Sequence, residues 1–122
     1  MTPEAAIFQF LSGFGMPAYA TSAPNDAVMP YVTYSLSVGS WDSGEVNVPV
    51  RLWYRTSSEA VLNAKAREMS SAIGMGGVTL PCDGGMVWVK RGSPWSQSME
   101  DEDGGAVKSR YINMDMEFLV VE

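Results

Sequence analysis

The hydrophobic pattern changes its period within residues 46–73, and this change restricts the folds that the chain can adopt. First, apolar and polar residues alternate, as in a strand with one buried face: the apolar positions are Val46, Val48, Val50, Leu52 and Tyr54. Apolar residues then recur on one stripe of a helix: they are Leu62, Ala66, Met69 and Ile73. We therefore predict a strand that packs against the helix following it, with one of residues 56–58 as the helix cap and Glu59 in the first turn.

A first helix and a hairpin are predicted before this stretch. Thr2 can cap the helix, and Pro3 suits its first position. Alternation over residues 32–38 predicts a strand, which the turn 39–45 joins to the next strand as an antiparallel hairpin. Pro49 interrupts the second strand of this hairpin and favours an edge position or a bulge there, because proline has no N–H group.

Three further strands are predicted after the long helix. Residues 78–80 and 86–91 flank a tight-turn signal, and residues 112–120 alternate clearly. The second of these strands begins with four apolar residues in a row, which predicts that both of its faces are covered. We interpret residues 16–30 and 92–105 as long connections.

The order of these elements predicts an α+β fold for a single domain, residues 1–122. We expect a mixed, mostly antiparallel sheet of about five strands, with two helices packed on one face. The core between the helices and the sheet is predicted to contain five of the periodic residues: Leu62, Met69, Ile112, Met116 and Phe118.

Charge and composition argue against several functions. The 14 acidic and 8 basic residues leave a net charge of −6, whereas proteins that bind nucleic acids are rich in Lys and Arg, so we expect no specific nucleic-acid binding. The chain has no histidine, the commonest general base and metal ligand. We therefore predict no catalytic residue, no cofactor and no metal site. The longest apolar run, residues 118–121, is too short to cross a membrane. We therefore expect no membrane as a partner.

Six segments, spread over nearly the whole chain, resemble a known family in their order and spacing: FGMPAY (14–19), PYVTY (30–34), VPVRLWYRTSS (48–58), NAK (63–65), DGGMVWVKRG (83–92) and PWSQSM (94–99), the last of them followed by the strand that begins at Tyr111. In these segments the chain is similar to the tail terminator, or tail completion, proteins of long-tailed phages and prophages.

The resemblance implies a structural role in virion assembly. A subunit of this kind joins further copies in a homo-oligomer, expected to be a hexameric ring. The ring caps the tail tube, ends its polymerisation and forms the joint to the head. The implied partners are therefore the tail tube protein and the head–tail connector protein. The implied location is the virion tail, after assembly in the host cytoplasm.

Five residues are candidates for the oligomer or partner interface. Arg51, Trp53 and Arg55 share the polar face of their strand. A tryptophan between two arginines is typical of a covered protein surface. Trp95 and Met99, in the second long connection, are the other two candidates. Packing within the subunit is the alternative for the tryptophans.

An acidic run in the second connection comprises Glu100, Asp101, Glu102 and Asp103. Consecutive carboxylates splay apart, whereas calcium loops space their ligands at alternate positions, so a metal site is not favoured. One interpretation is that the run faces the lumen of the ring and repels DNA phosphates. The other is that it serves solubility alone.

Other functions remain open at this stage. A head–tail joining subunit or a tail-tube subunit belongs to the same broad class. A small-molecule-binding domain or enzyme would use Asp83, Glu100 and Asp103 as its acids. The lack of histidine and of any paired acid–base spacing disfavours that alternative.

Overall fold

Helices and strands account for most of residues 1–39 and 44–121, which are the residues that the structure, a computed structural model, describes. There are two α-helices in this part of the chain, α1 (Pro3–Leu11) and α2 (Ala60–Ile73). Its six strands are β1 (Ala18–Ala20), β2 (Tyr31–Tyr34), β3 (Glu45–Arg55), β4 (Val78–Cys82), β5 (Gly85–Ser98) and β6 (Val107–Val120).

The six strands form one mixed sheet in the order β1-β2-β3-β6-β5-β4. Only the β1–β2 pair is parallel, and the other four pairs are antiparallel. The predicted α+β class and the predicted β2–β3 hairpin are confirmed. Of the predicted turn, residues 40–43 lie outside the described residues. The additional strand is β1, in a segment that the sequence pattern presented as a loop.

The core lies between the two helices and one face of the sheet. Every second residue is buried there from Val48 to Tyr54 in β3 and from Ile112 to Phe118 in β6. The predicted stripe of α2 supplies the four buried residues of that helix. The five predicted core residues are all nearly inaccessible to solvent. This part of the prediction is confirmed.

The two helices begin in different ways. The Thr2 hydroxyl accepts a hydrogen bond from the Ala5 N–H at 3.1 Å, as predicted for the cap of α1. In α2, Glu59 is itself the cap residue and makes no capping bond, so its predicted place in the first turn is wrong. Instead, the Ser58 hydroxyl accepts a hydrogen bond from the Ala60 N–H at 3.1 Å. The Glu59 carboxylate contacts Arg110 in β6.

The prediction that Pro49 marks an edge or a bulge is wrong, because β3 lies inside the sheet and pairs with β6 without a register shift. The Pro49 carbonyl accepts a bond from the Ser35 N–H at 3.1 Å. In an antiparallel sheet the N–H and C=O groups of one residue point to the same neighbouring strand. Those of Pro49 point toward β2, so its missing N–H weakens only the pairing with β2 and not the pairing with β6. β2 ends at Tyr34, before its predicted end at residue 38. The next residue, Ser35, lies opposite Pro49, which has no N–H to donate to the Ser35 carbonyl.

The prediction that both faces of β5 are covered is also wrong. Val87 and Val89 are buried, but Met86 is exposed and Trp88 is only half-buried. Both helices pack on the other side of the sheet. The sheet face without helices is called the open face below. Among the described residues, the connection after β5 reaches its corner, where Asp103 pairs with Arg55 and Val107 is buried.

The second long connection is shorter than predicted, because β5 continues to Ser98. The pairing with β6 shifts between Arg91 and Ser96, so the four intervening residues, 92–95, bulge opposite Asn113. The Asn113 side-chain amide donates to the Pro94 carbonyl at 2.8 Å and holds the bulge. The true connection is residues 99–106.

Candidate interaction surfaces

Arg51 and Trp53 lie side by side on the open face, each fixed by a neighbouring strand. The Arg51 guanidinium lies 4.0 Å from the centre of the Trp53 ring. It also donates two hydrogen bonds to the Ser109 hydroxyl of β6, at 3.1 and 2.9 Å. The Trp53 indole N–H donates to the Thr33 hydroxyl of β2 at 3.0 Å. Both half-buried side chains are therefore held in one orientation at the surface.

Three aromatic side chains form a row across β1, β2 and β3, called the aromatic row: Tyr19, Tyr31 and Trp53. The tyrosine rings meet edge to face at 5.7 Å, and Tyr31 lies 6.3 Å from Trp53. A shallow cavity of about 250 Å³ beside the row is lined in part by Arg51 and Tyr111. Rigid aromatic side chains beside an arginine are the composition of interface hot spots.

Exposed apolar residues form a second patch, at the opposite corner of the open face. Met86 lies between Pro81 of β4 and Leu119 of β6 in the sheet register, and all three side chains are exposed. We call this patch the apolar corner. A charged band separates it from the aromatic row: Lys90 forms ion pairs with Glu45 and Glu117. The hydrogen bond to Glu45 is the main cause that raises the pKa of Lys90.

Half of the acidic run is paired with cations of the same subunit. Asp101 bonds to Lys108 and Asp103 to Arg55, each at 2.9 Å. The hydrogen bond that Lys108 donates to Asp101 is the main cause that raises the pKa of Lys108. Since these two cations lie on different strands, the run does not present four free carboxylates to one point. No three His, Cys, Asp or Glu residues within 1–39 and 44–121 are grouped as metal ligands would be.

The five predicted interface residues do not form one patch. Arg51, Trp53 and Arg55 share the open face. The Trp95 indole packs on the helix side, where its N–H donates to the Ala66 carbonyl of α2 at 3.1 Å. Met99 is half-buried beyond the end of β5, and its backbone N–H donates to the Ser109 carbonyl at 3.3 Å.

Sequence reasoning missed two members of the aromatic row. Tyr31 lies two residues before Thr33 and out of phase with the buried Val32, so its place on the open face could have been found from the alternation. Tyr19 had no such signal, because β1 is only three residues long.

The acids of the alternative small-molecule site are far apart. Asp83 bonds to the Met1 amino group at 2.9 Å, next to the turn where Gly85 pairs with Val120. Asp103 lies near the other end of β6. The neighbouring Cys82 is half-buried, and burial is the main cause that raises the pKa of its thiol above the ordinary value.

None of the helices in residues 1–39 and 44–121 has both the length and the apolar character required to cross a membrane. In comparisons with known proteins, no family model matches the chain and no curated protein sequence matches it.

Proposed function

We propose that this protein is a tail terminator, which caps a phage tail tube as a homo-oligomeric ring and joins the tube to the head. The six resembling segments support the family, and the open face supports the assembly. The observation that carries most weight is the Arg51–Trp53 pair, held in a fixed orientation on a sheet face against which no described helix packs. We propose a structural role without catalysis.

A closed ring of identical subunits needs two different contact surfaces on each subunit. The aromatic row is our candidate for the first, and the apolar corner for the second. Both edge strands are short: β1 has three residues, and β4 has five and contains Pro81. Short edges with proline resist sheet extension by a further strand. Side chains of the open face are therefore better suited to carry the contacts than backbone pairing.

The ring would also have to let DNA pass. The net charge of −6 would repel phosphates and limit sticking. Within the acidic run, Glu100 and Glu102 form no ion pair among the described residues. We propose that these two carboxylates, rather than the whole run, supply free charge toward the lumen.

Charge reversal at two positions tests the proposed contact. We expect the double variant Arg51→Glu with Arg55→Glu to raise the dissociation constant of the oligomer about tenfold or more, because negative charges would replace positive ones at the partner surface. The fold should survive, because losing the Arg51–Ser109 bonds costs about 1 kcal/mol and the Arg55–Asp103 pair is largely exposed. Circular dichroism checks the fold, and light scattering measures the oligomer mass.

A control variant places two negative charges on the helix side, half the change in net charge that the arginine variant makes. Ala64→Glu with Ser71→Glu alters exposed positions of α2 and should leave assembly unchanged. If the arginine variant assembles as well as this control, Arg51 and Arg55 are not in the interface.

Deleting the gene from the phage or prophage that encodes it tests the function itself. We expect electron microscopy to show free heads and tubes of uncontrolled length, because nothing would end polymerisation. A tail-tube subunit would instead leave heads with no tubes at all. Normal tails in the deletion strain would contradict both assignments.

A further inference from the structure

A pocket of about 320 Å³ lies on the helix side of the sheet, between α2 and the bulge of β5. Seven residues line it: Asn63, Ala66, Arg67, Ser70, Trp95, Ser96 and Arg110. Trp95 and Ala66 supply apolar wall, and the rest is polar or cationic. No acidic residue is among the described residues that line it. The pocket is separate from the open face, and all of its lining residues belong to one subunit.

One arginine without a carboxylate partner lines this pocket, and a second lies beside it. Among the described residues, five of the eight Lys and Arg residues bond to a carboxylate: Arg55, Lys65, Lys90, Lys108 and Arg110. Of the other three, Arg67 lines the pocket and Arg91 donates to the hydroxyl of Ser70, which also lines it, at 3.0 Å. In a chain with excess acid, uncompensated cations at one pocket indicate an anionic occupant.

A third arginine, Arg110, forms part of the wall, and its charge is balanced by Glu59. Its side chain is only 7% exposed. The guanidinium donates to Glu59 at 2.7 Å, Asn63 at 2.8 Å and Ser96 at 3.2 Å. Its Nε atom is buried and has no hydrogen-bond partner in the part of the chain that the structure describes. This atom is shut off from the pocket, so the part of Arg110 that an occupant can meet is the rest of its guanidinium, which lines the wall.

We propose that this pocket binds a carboxylate. Arg67 and Arg91 bond the charged group together with the Ser70 hydroxyl, since guanidinium groups match the planar carboxylate geometry. Trp95 and Ala66 contact its aliphatic stem. The carboxylate comes either from a free small molecule or from Glu100 or Glu102 of a second copy, the two acids of the run that pair with no described cation. In the second case these two acids contact the neighbouring subunit and do not supply free charge toward the lumen.

Glutarate is the probe, with the uncharged glutaramide at equal ionic strength as its control. Titration of ¹⁵N-labelled protein should shift the Trp95 indole N–H signal saturably and leave the Trp53 indole unchanged. Arg67→Gln with Arg91→Gln should weaken glutarate binding about tenfold or more, because two charged contacts are lost. Both side chains are exposed, so the fold should survive.

Arg51→Gln is the matched control, since it removes another arginine without a carboxylate partner, but on the open face. It should change glutarate affinity by less than about twofold. The proposal is overturned if glutarate gives no saturable shift, if glutaramide binds equally well, or if the Arg67/Arg91 variant binds as tightly as the unaltered protein.

Light scattering separates the two sources of the carboxylate. If a second copy supplies it, glutarate and the variant Glu100→Gln with Glu102→Gln should each lower the oligomer mass. If a free molecule supplies it, the mass should be the same with and without glutarate, while the binding of glutarate persists.

Discussion

Replacing Phe118 with alanine is expected to lower the free energy of unfolding by about 3 to 5 kcal/mol. Phe118 is 3% exposed and lies opposite Val87 of β5 on the core face of the sheet. The smaller side chain would lose its burial and leave a cavity that the neighbouring strands fill only in part. For a domain of this size that is a large share of the total stability. Urea denaturation measures it.

The adjacent Leu119 provides the control. It is 45% exposed on the open face, so Leu119→Ala should change stability by no more than about 0.5 kcal/mol. Equal losses for the two variants, or an unchanged urea midpoint for Phe118→Ala, would show that the register of β6 is wrong.

Glu59→Gln is expected to lower the free energy of unfolding by about 2 kcal/mol, the second largest of the predicted effects. It removes the only carboxylate that bonds to Arg110 within the described residues, at 2.7 Å, and leaves a guanidinium that is 7% exposed without a counter-ion. Breaking a fully buried pair costs about 3 to 5 kcal/mol. The cost is smaller here because the Glu59 side chain is 40% exposed and solvent screens it.

Glu68→Gln is the matched control for that measurement. Glu68 is 53% exposed and pairs with Lys65 one turn away in α2, and pairs within one helix contribute about 0.5 kcal/mol or less. If the two variants lose the same stability in thermal or urea unfolding, the Glu59–Arg110 pair has no special weight in the fold.

The parts of the fold with a long, regular period were predictable from the sequence. The stripe of α2 and the alternation of β3 and of residues 112–120 are such parts, and the apolar positions predicted there are buried, except that Val46 and Val120 are half-buried. The buried residues at the start of β6 (Val107, Ser109 and Arg110) lay before the predicted strand. β1 was not predictable, because three residues show no period and the strand exists only through its parallel pairing with β2. The bulge at residues 92–95 broke the alternation of β5, so that half of this strand was interpreted as a loop.

The same distinction applies to the candidate surfaces. Arg51, Trp53 and Arg55 could be placed on one face because β3 is regular. The side of the sheet on which Trp95 lies follows from the bulge, so no alternation rule could assign its indole to α2. Asp101 pairs with Lys108 across the turn into β6, and Asp103 pairs with Arg55 of β3, far away in the sequence. Long-range pairing of this kind leaves no local pattern.

Native mass spectrometry of the purified protein tests the central proposal most directly. Six copies of a 13.2 kDa chain give a ring of about 79 kDa, and the proposal predicts this species, reduced by charge reversal at Arg51 and Arg55. A species of 13.2 kDa alone, at every concentration up to the solubility limit, would contradict it.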